Sequence, residues 1–309
     1  MSDSTLVLIT GARGTVGREV VRAVLERGGR VRALVRTPDP GALPAAVEQV
    51  AGDLGDPQAV ARALAGVDAA FYLSPHDPDE ERLAAIFVRA CEANRTRLVF
   101  VGVHADGRTR LHRAAQRLMV RFLGGSHYAP KFRLSERVRR ARTDAIVLMP
   151  SNFFQNDELV QAELLAGEYV LPLKGINRVD VRDLGDAAAR ALLDRSVTPG
   201  AYPVVGPASL SSAESAATWA RVLGRDVRDA SADLDRFEAL VDERLAGKKR
   251  TDFVLTYRAL ARIELPTDPR QVAATTELLG RAPRSYDEYV RDEAARLSRP
   301  IGRAAVSLR

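Results

Sequence analysis

The sequence predicts an α/β fold, in which a doubly wound parallel sheet is followed by a smaller, helix-rich C-terminal domain. A short apolar run at Thr5–Thr10 leads into a glycine-rich stretch at Gly11–Gly17, and apolar residues at helical spacing continue to Leu25. Strand-like and helix-like segments then alternate through the first half of the chain, as in parallel sheets with crossover helices. The first run has no polar alternation, which indicates a strand buried on both faces.

The glycine-rich stretch, GARGTVG, is suited to binding an anion. It lies between a strand and a helix, where bare N–H groups and the positive end of the helix dipole point at a ligand. Glycine admits a pyrophosphate that a side chain would block. The spacing is G-x-x-G-x-x-G, and its place at the start of a βαβ unit predicts a dinucleotide site. The residues that we expect to contact the dinucleotide here are Gly11, Arg13, Gly14, Thr15, Val16 and Gly17.

The second predicted strand, Arg30–Arg36, indicates which dinucleotide is bound. In a dinucleotide-binding fold the end of this strand faces the adenosine ribose, where an acid suits a free 2′-hydroxyl and an arginine suits a 2′-phosphate. The strand ends in Arg36, no acid follows before Asp39, and Arg13 lies in the glycine turn. We therefore predict NADP(H) in preference to NAD(H). The alternative is that Arg36 is one of many surface arginines.

Four further strands are predicted in the first half, at residues 47–54, 67–73, 98–103 and 144–149. A helix capped by Asp56, with Pro57 at its first position, follows the first of them, and a second helix covers residues 79–93. The carboxyl ends of such strands border a bound dinucleotide. The further contacts that we expect are Asp53, Leu54, Leu73, Ser74, Pro150, Ser151, Asn152 and Phe153.

Two of these assignments have alternatives. Asp53 either caps its own turn or hydrogen-bonds the adenine edge, and both can hold. The backbone after the sixth strand would contact the nicotinamide carboxamide, while Phe153 and Phe154 either line an apolar cleft or belong to the core.

The alternation ends after Pro150, and the second half is predicted to be rich in helices. Its predicted elements are a strand at 177–183, a helix at 185–194, a strand at 201–205, a helix that begins at Ser211 or Ser212 and contains Trp219, and helices at 234–245 and at 275–297 with a break at Pro283. We assign residues 1–151 to a nucleotide-binding domain, to which residues 177–206 return, and residues 152–309 to a smaller substrate or partner region.

Composition places the chain among globular proteins. Its 309 residues are 46% hydrophobic and 28% charged, and no apolar run approaches the roughly 18 residues of a membrane span. The N-terminus lacks the features of a signal peptide, and Cys91 is the only cysteine, which excludes internal disulfides. These features predict a cytoplasmic protein with no membrane partner. The four histidines lack the spacing of metal ligands, so no metal site is predicted.

Positive charge is concentrated in one segment. Residues 108–142 contain eleven Arg or Lys and one acid, Glu136, a balance of +10 against +6 for the whole chain. From Arg110 to Arg121 the arginines recur at helical spacing opposite apolar residues, which favours a solvated helix face. The alternative is a surface for an anionic partner. Aromatic residues are sparse and no DNA-binding motif is present, so nucleic acid is not expected, whereas a protein partner remains an alternative.

Several short segments follow one another in an order and at a spacing that are specific to one protein family. They are Thr10–Gly17, Arg36, Gly52–Leu54, His127–Lys131 with Glu136, Ile146–Asn156, Val179–Asp183, Gly200–Gly206 and Leu279–Tyr289. Together they resemble the NmrA-like branch of the atypical short-chain dehydrogenase/reductases, over nearly the whole chain. The resemblance implies a Rossmann-type NADP(H) domain with a small C-terminal domain over a cleft.

The resemblance also implies where catalytic residues would lie. In the wider superfamily a tyrosine is the general acid, and a lysine in a Y-x-x-x-K arrangement binds the nicotinamide ribose and lowers the tyrosine's pKa. Lys131 fits the lysine position, but His127 stands in place of the tyrosine and Tyr128 is one position out of register. The serine usually found after the fifth strand is missing, where the sequence reads VGVH and ends at His104.

Lys131 is the best supported of these candidate catalytic residues. Only four of the 46 basic residues are lysines, so a requirement explains a lysine at this position better than chance does. His127 and His104 are candidate proton donors. The alternative for both, and for His76 near the end of the fourth strand, is a loop residue with a backbone partner.

Two functions are compatible with these features. The first is an NADPH-dependent reductase that transfers a hydride to a small conjugated substrate such as a quinone or an enone, which depends less on a strong general acid. The alternative is a non-catalytic NADP(H) sensor of the NmrA type. The family includes such regulators, the Ser and Tyr are missing, and the basic segment 108–142 would then be the partner surface.

Overall fold

A seven-stranded parallel sheet organises the part of the chain that the structure describes. The computed structural model describes residues 4–103 and 129–298. The strands of the sheet are β1 (Leu6–Thr10), β2 (Arg30–Val35), β3 (Val47–Ala51), β4 (Ala69–Leu73), β5 (Arg97–Val101), β6 (Ala145–Pro150) and, after three short strands elsewhere, β10 (Gly200–Val204). In space their order is β10-β6-β5-β4-β1-β2-β3. This doubly wound arrangement confirms the predicted fold class.

The strand order reverses between β1 and β4, and this reversal positions the candidate site. Leu8 of β1 pairs in parallel with Arg32 of β2 on one side and with Ala70 of β4 on the other. The crossover connections from the two sides leave in opposite directions, so a crevice opens at the carboxyl ends of these strands. Ligands of doubly wound folds bind in that crevice.

Helices cover both faces of the sheet, which explains why its central strands are mostly apolar. One face is covered by α1 (Thr15–Glu26) and α6 (Val181–Leu193), and the other by α2 (Pro57–Leu64), α3 (Glu80–Asn94) and α4 (Ala129–Arg139). As predicted, Asp56 caps α2 by accepting a hydrogen bond from the Gln58 N–H at 2.8 Å, with Pro57 as the first helical residue.

The C-terminal part packs around a second core. Its helices are α5 (Gln161–Leu165), α7 (Ser212–Leu223), α8 (Leu234–Arg244), α9 (Gly247–Leu260), α10 (Pro269–Leu279) and α11 (Tyr286–Ser298), with a 3-10 helix at Phe154–Val160. The short strands are β7 (Asn152–Phe153), β8 (Glu168–Tyr169), β9 (Ile176–Val179), β11 (Ser209–Leu210) and β12 (Arg228–Asp229).

In residues 4–103 and 129–298, no helix has the length and apolar character needed to cross a membrane. The assignment of two domains stays a prediction.

A buried ion pair organises the start of this second core. Arg178 on β9 is 0% exposed, and its Nη2 lies 2.8 Å from Asp157 Oδ1 and 2.9 Å from the Phe153 carbonyl oxygen. Asp157 also accepts hydrogen bonds from the Tyr169 hydroxyl at 2.9 Å and from Trp219 Nε1 at 3.2 Å. Because a buried charge is costly without a partner, this network fixes the chain where it leaves β6.

Two predicted elements differ from the structure. The strand predicted at 177–183 ends at Val179, because Asp180 accepts a hydrogen bond from the Arg182 N–H at 2.8 Å and caps α6, which therefore begins at Val181. The helical region predicted at 275–297, with a break at Pro283, is the pair α10 and α11, and α10 begins earlier than predicted, at Pro269. Gly280, with a φ of 73°, ends α10 three residues before the predicted break.

Helix α9 was not predicted. Its sequence, GKKRTDFVLTYRAL, lacks the apolar periodicity by which a helix is recognised, and it begins with a glycine. Its fold comes from tertiary packing, since Val254, Tyr257 and Leu260 lie in the second core.

Gly185→Ala is expected to lower the free energy of unfolding by about 1–3 kcal/mol, measured by urea denaturation. Helices α1 and α6 cross so closely that a Cβ on Gly185 would lie 2.7 Å from the Glu19 carbonyl oxygen. Gly41→Ala is the control, because its methyl group would meet only the Asp39 side chain at an ordinary 3.6 Å. Unchanged stability of Gly185→Ala would contradict the close crossing.

Candidate functional site

The loop between β1 and α1 forms a tight turn. Gly11 adopts a φ of 64°, and its carbonyl oxygen accepts a hydrogen bond from the Gly14 N–H at 2.9 Å. A Cβ on Gly17 would overlap that same oxygen, so the turn requires glycine at this position. The turn thereby brings the start of α1 close to the end of β1.

The N-terminus of α1 is open to a ligand. No side chain caps it, and its first turn contains no acidic residue. The Arg18 N–H donates to the Gly14 carbonyl oxygen at 2.9 Å, so the N–H groups of Thr15, Val16 and Gly17 precede the first bond within the helix. Such N–H groups, at the positive end of the helix dipole, fit a phosphate.

Two arginines at the end of β2 carry positive charge that no carboxylate among the described residues neutralises. Arg13 Nη2 donates to the Thr37 carbonyl oxygen at 2.8 Å and to Gln49 Oε1 at 2.9 Å, and both acceptors are neutral. Arg13 Nε is buried with no hydrogen-bond partner among those residues. Arg36 directly follows β2 and is exposed. The end of β2 therefore favours an anionic group.

Asp53 and Leu54 follow β3 at the same edge of the sheet. Asp53 is exposed, and its Oδ1 accepts a hydrogen bond from the Gly55 N–H at 2.7 Å, while Leu54 is half-buried. Asp53 thus stabilises its own turn, which was one of the two predicted roles. A contact with adenine stays a prediction.

Leu73 and Ser74 lie where β4 ends, beside β1. The Leu73 N–H donates to Thr10 Oγ1 at 3.4 Å, which joins the ends of the two strands across the reversal in strand order. Ser74 Oγ donates to Glu80 Oε2 at 3.3 Å, at the start of α3. Both residues therefore border the crevice, and their contact with a cofactor stays a prediction.

Pro150 and Ser151 lie at the end of β6. The Ser151 N–H donates to the Val204 carbonyl oxygen at 3.1 Å, whereas Ser151 Oγ is buried and has no hydrogen-bond partner among residues 4–103 and 129–298. A buried hydroxyl without a partner is unfavourable, so this oxygen is suited to a bound polar group.

Asn152, Phe153 and Phe154 each contact other parts of the chain, and a contact of Asn152 or Phe153 with a cofactor stays a prediction. Asn152 Oδ1 accepts a hydrogen bond from Arg178 Nε at 3.3 Å, and Phe153 packs against the core of the sheet. Phe154 is 1% exposed within the second core, so it belongs to the core rather than to a cleft.

A group of titratable side chains lies where α9 of the C-terminal part meets the end of β4 and helices α3 and α4. We call it the Asp252 cluster, and its members are His76 after β4, Glu80 on α3, Lys131 on α4, and Lys248 and Asp252 on α9. Asp252 Oδ2 lies 2.7 Å from His76 Nδ1, 2.8 Å from Lys248 Nζ and 4.0 Å from Lys131 Nζ. Lys248 Nζ lies 3.6 Å from Glu80 Oε1. Asp252 therefore joins the loop after β4 and helix α4 to α9, and Lys248 joins α3 to the same helix.

The Asp252 cluster is largely removed from water. Glu80 and Asp252 are buried, and the Lys131 side chain is 22% exposed. Burial raises the pKa of Asp252, but hydrogen bonds from His76 and Lys248 and the charge of Lys131 outweigh it and lower the pKa to about 2. Burial lowers the pKa of Lys131, and the attraction of Asp252 and Glu80 offsets only part of that effect. Asp252 is therefore an ionised acceptor at neutral pH.

Sequence reasoning identified Lys131 and considered His76, but missed Glu80, Lys248 and Asp252. A signal for Lys248 was present, because it is one of four lysines in the chain. Because α9 was not predicted, Lys248 was not placed near the site.

The other candidate proton donors of the sequence analysis do not belong to the described residues. His104, His127 and Tyr128 lie outside the described residues, and so does most of the basic segment 108–142. Their roles stay predictions.

The described residues fit a phosphorylated dinucleotide. The open N-terminus of α1 suits the pyrophosphate, the arginines beside β2 suit a further phosphate, and the Ser151 hydroxyl lacks a partner at the end of β6. Within the part of the chain that the structure describes, no group of three or more His, Cys, Asp or Glu residues is arranged to hold a metal ion.

Comparison with known proteins agrees with this geometry. A family model described as NAD(P)H-binding matches residues 11–195. An NAD(P)H azoreductase from Xenophilus azovorans is 28% identical over 299 residues, covering 94% of this chain and 98% of that protein.

Solved structures share the fold. The triphenylmethane reductase of Citrobacter sp. in complex with NADP(H) matches with a TM-score of 0.74 at 18% identity, covering 93% of this chain and 99% of that one. Nmra, described as a negative transcriptional regulator and solved in complex with NAD, matches with a TM-score of 0.73 at 16% identity, covering 96% and 98%. The family match confirms the predicted nucleotide-binding family, and these likenesses confirm the predicted fold.

Asp252→Asn is expected to lower the free energy of unfolding at pH 7 by about 2 kcal/mol, because the lowered pKa of Asp252 stabilises the folded state by roughly that amount. A carboxylate whose pKa falls on folding stabilises the fold above its unfolded pKa, and this contribution is lost as the pH falls from about 4 to about 2. The difference in the free energy of unfolding between the variant and wild type should therefore become smaller as the pH falls over that range. Urea denaturation at each pH measures it.

Asp242→Asn is the matched control for this measurement. Asp242 pairs with Arg250 on the exposed surface, where an ion pair contributes little. Equal stability of Asp252→Asn and wild type at pH 7 would contradict the central role of Asp252 in the cluster.

Proposed function

The chain belongs to the NAD(P)H-binding family, and from this premise we propose that it is an NADPH-dependent reductase of a small conjugated substrate, of the quinone or enone class. The observation that carries the cofactor assignment is the positive charge of Arg13 and Arg36, which no carboxylate of the described residues neutralises. The reductase assignment is supported by the similarity to an NAD(P)H azoreductase and to a triphenylmethane reductase.

Each part of the cofactor has a place in this proposal. The N–H groups at the start of α1 hold the pyrophosphate, and Arg13 and Arg36 hold the 2′-phosphate of the adenosine ribose. Lys131 donates to the hydroxyls of the nicotinamide ribose, for which a compact ammonium is suited. Ser151 Oγ, which lacks a partner among the described residues, hydrogen-bonds the carboxamide.

When bound, NADPH supplies a hydride to the acceptor. The chain's own part is to orient the acceptor, to exclude water and to hold the charge that develops on it. A conjugated acceptor spreads that charge over several atoms, so its reduction does not require the tyrosine that the Y-x-x-x-K arrangement would provide. In this proposal the Asp252 cluster and the end of β6 at Ser151 border the place of the substrate.

The second candidate function is a non-catalytic sensor of NADP(H), in which the basic segment 108–142 binds a protein partner. The replacement of the expected tyrosine by His127 favours it. A fold shared with a transcriptional regulator is compatible with it. We place the reductase first because the azoreductase, a relative that covers nearly the whole chain, is named as an enzyme.

Arg13→Gln and Arg36→Gln are each expected to raise the Kd for NADPH about tenfold or more and to leave the Kd for NADH almost unchanged, because each removes a charged hydrogen bond to the 2′-phosphate. Both constants are measured by fluorescence titration. Arg30→Gln is the matched control, since Arg30 is exposed at the opposite end of the same strand. If both variants discriminate between NADPH and NADH as wild type does, neither arginine binds the phosphate.

Purified protein is expected to oxidise NADPH when it is given a panel of benzoquinones, enones and azo dyes, with one NADPH consumed per two-electron reduction. The loss of NADPH absorbance and the reduced product are both measured. Gly17→Ala is the control, because its methyl group would overlap the Gly11 carbonyl oxygen and disrupt the turn. Binding of NADPH and NADP+ with different affinities, and no consumption with any acceptor, would instead indicate the sensor.

A further inference from the structure

His76 and Asp252 form a pair that the proposed function does not use. We propose that His76 is the proton donor of the reduction and that Asp252 is the residue that positions it. This inference rests on the proposed reductase function and names the group that completes it.

The hydrogen bond between the two side chains fixes the direction in which His76 donates. Asp252 Oδ2 lies 2.7 Å from His76 Nδ1, and an ionised carboxylate can only accept. Nδ1 therefore carries a hydrogen, and Nε2 is the nitrogen that exchanges a proton with a substrate. This is the arrangement in which a carboxylate orients a catalytic imidazole.

The pair lies where an acceptor would meet the nicotinamide. His76 follows β4 by three residues, and β4 lies directly beside β1, whose loop carries the open N-terminus of α1. Lys131 Nζ, assigned above to the nicotinamide ribose, lies 4.0 Å from the same Asp252 oxygen. The two nitrogens, on His76 and Lys131, are thus less than about 7 Å apart.

The charges around the pair suit a proton that is gained and lost. Glu80 and Asp252 balance Lys131 and Lys248, so the cluster is neutral when His76 is neutral and gains one positive charge when His76 is protonated. Asp77, beside His76 in the chain, adds a further carboxylate on the loop. The His76 side chain is 35% exposed, so solvent can return the proton after each turnover.

The proton and electron balance of the step is complete. The hydride brings two electrons and one hydrogen to the acceptor, forming one new bond and leaving an oxyanion on a quinone or an enone. An O–H bond then forms as the N–H bond at His76 Nε2 breaks. The neutral imidazole takes a proton from water, so one NADPH and one proton are consumed for each acceptor reduced.

His76→Gln is expected to lower kcat for a benzoquinone about 100-fold and to leave the Kd for NADPH within about twofold of wild type. His76→Ala should lose the same activity and regain part of it when free imidazole is added, since the site is open to solvent. Full activity of both variants would overturn the proposal. Loss of activity without rescue by imidazole, together with a changed Kd for NADPH, would reduce His76 to a structural role.

Asp252→Asn tests the positioning role when it is made in wild type and in His76→Gln. In wild type it should lower kcat for a benzoquinone about tenfold, because the ionised acceptor that orients His76 is lost. In His76→Gln it should lower kcat no further, since no imidazole remains to be oriented. Asp242→Asn should keep the wild-type kcat, since its ion pair is exposed. Equal losses of kcat from Asp252→Asn in both backgrounds would overturn the positioning role.

A measurement without turnover separates this inference from the proposed function. The chain has four histidines, so His76→Gln identifies the His76 ring signals by NMR. In the complex with NADP+ and a non-reacting hydroquinone, these signals should shift, and Asp252→Asn should alter the shift. No shift, in a protein that reduces quinones, overturns this inference alone, whereas absence of NADPH oxidation in wild type overturns the proposed function and this inference together.

Discussion

A parallel sheet covered on both faces leaves its carboxyl edge as the place where polar chemistry can occur. The central strands of this sheet are mostly apolar, and the covering helices bury them. A charged group in its interior is costly without a partner, so the carboxyl ends of the strands are the favourable place for such groups. The open helix N-terminus, the two arginines beside β2 and the Asp252 cluster all lie along that edge. Their proximity results from the topology, because they are far apart in the sequence.

The Asp252 cluster is the point at which the C-terminal part meets this edge. Its carboxylate is shared by a histidine and two lysines, so each cation stabilises the charged form of Asp252 and Asp252 holds each of them in place. Removal of one partner leaves the others buried and unbalanced. The geometry of the crevice is consequently set by contacts between distant parts of the chain, and a single side chain does not determine it.

The sequence alone predicts the nucleotide half of the molecule well, because its signals are local. The strand before Gly11, the open turn and the cap at Asp56 each depend on neighbouring residues, and the structure has them as expected. The second half is less predictable. Helix α9 has no apolar periodicity, so its position depends on packing against distant residues. Lys248 and Asp252, which lie on this helix, were therefore not predicted as members of the site. The residues around position 76 and those around position 252 give no sign that the two side chains are in contact.

The position of α9 has a consequence for how such a protein can evolve. The residues that we propose to face the nucleotide lie before position 154, whereas two charged members of the Asp252 cluster lie on a 14-residue helix far downstream. Mutations in that helix can therefore alter the electrostatic character of the crevice and leave the glycine turn intact. After gene duplication, two descendants can diverge in the molecules they accept through this one short stretch, while both inherit the same nucleotide pocket.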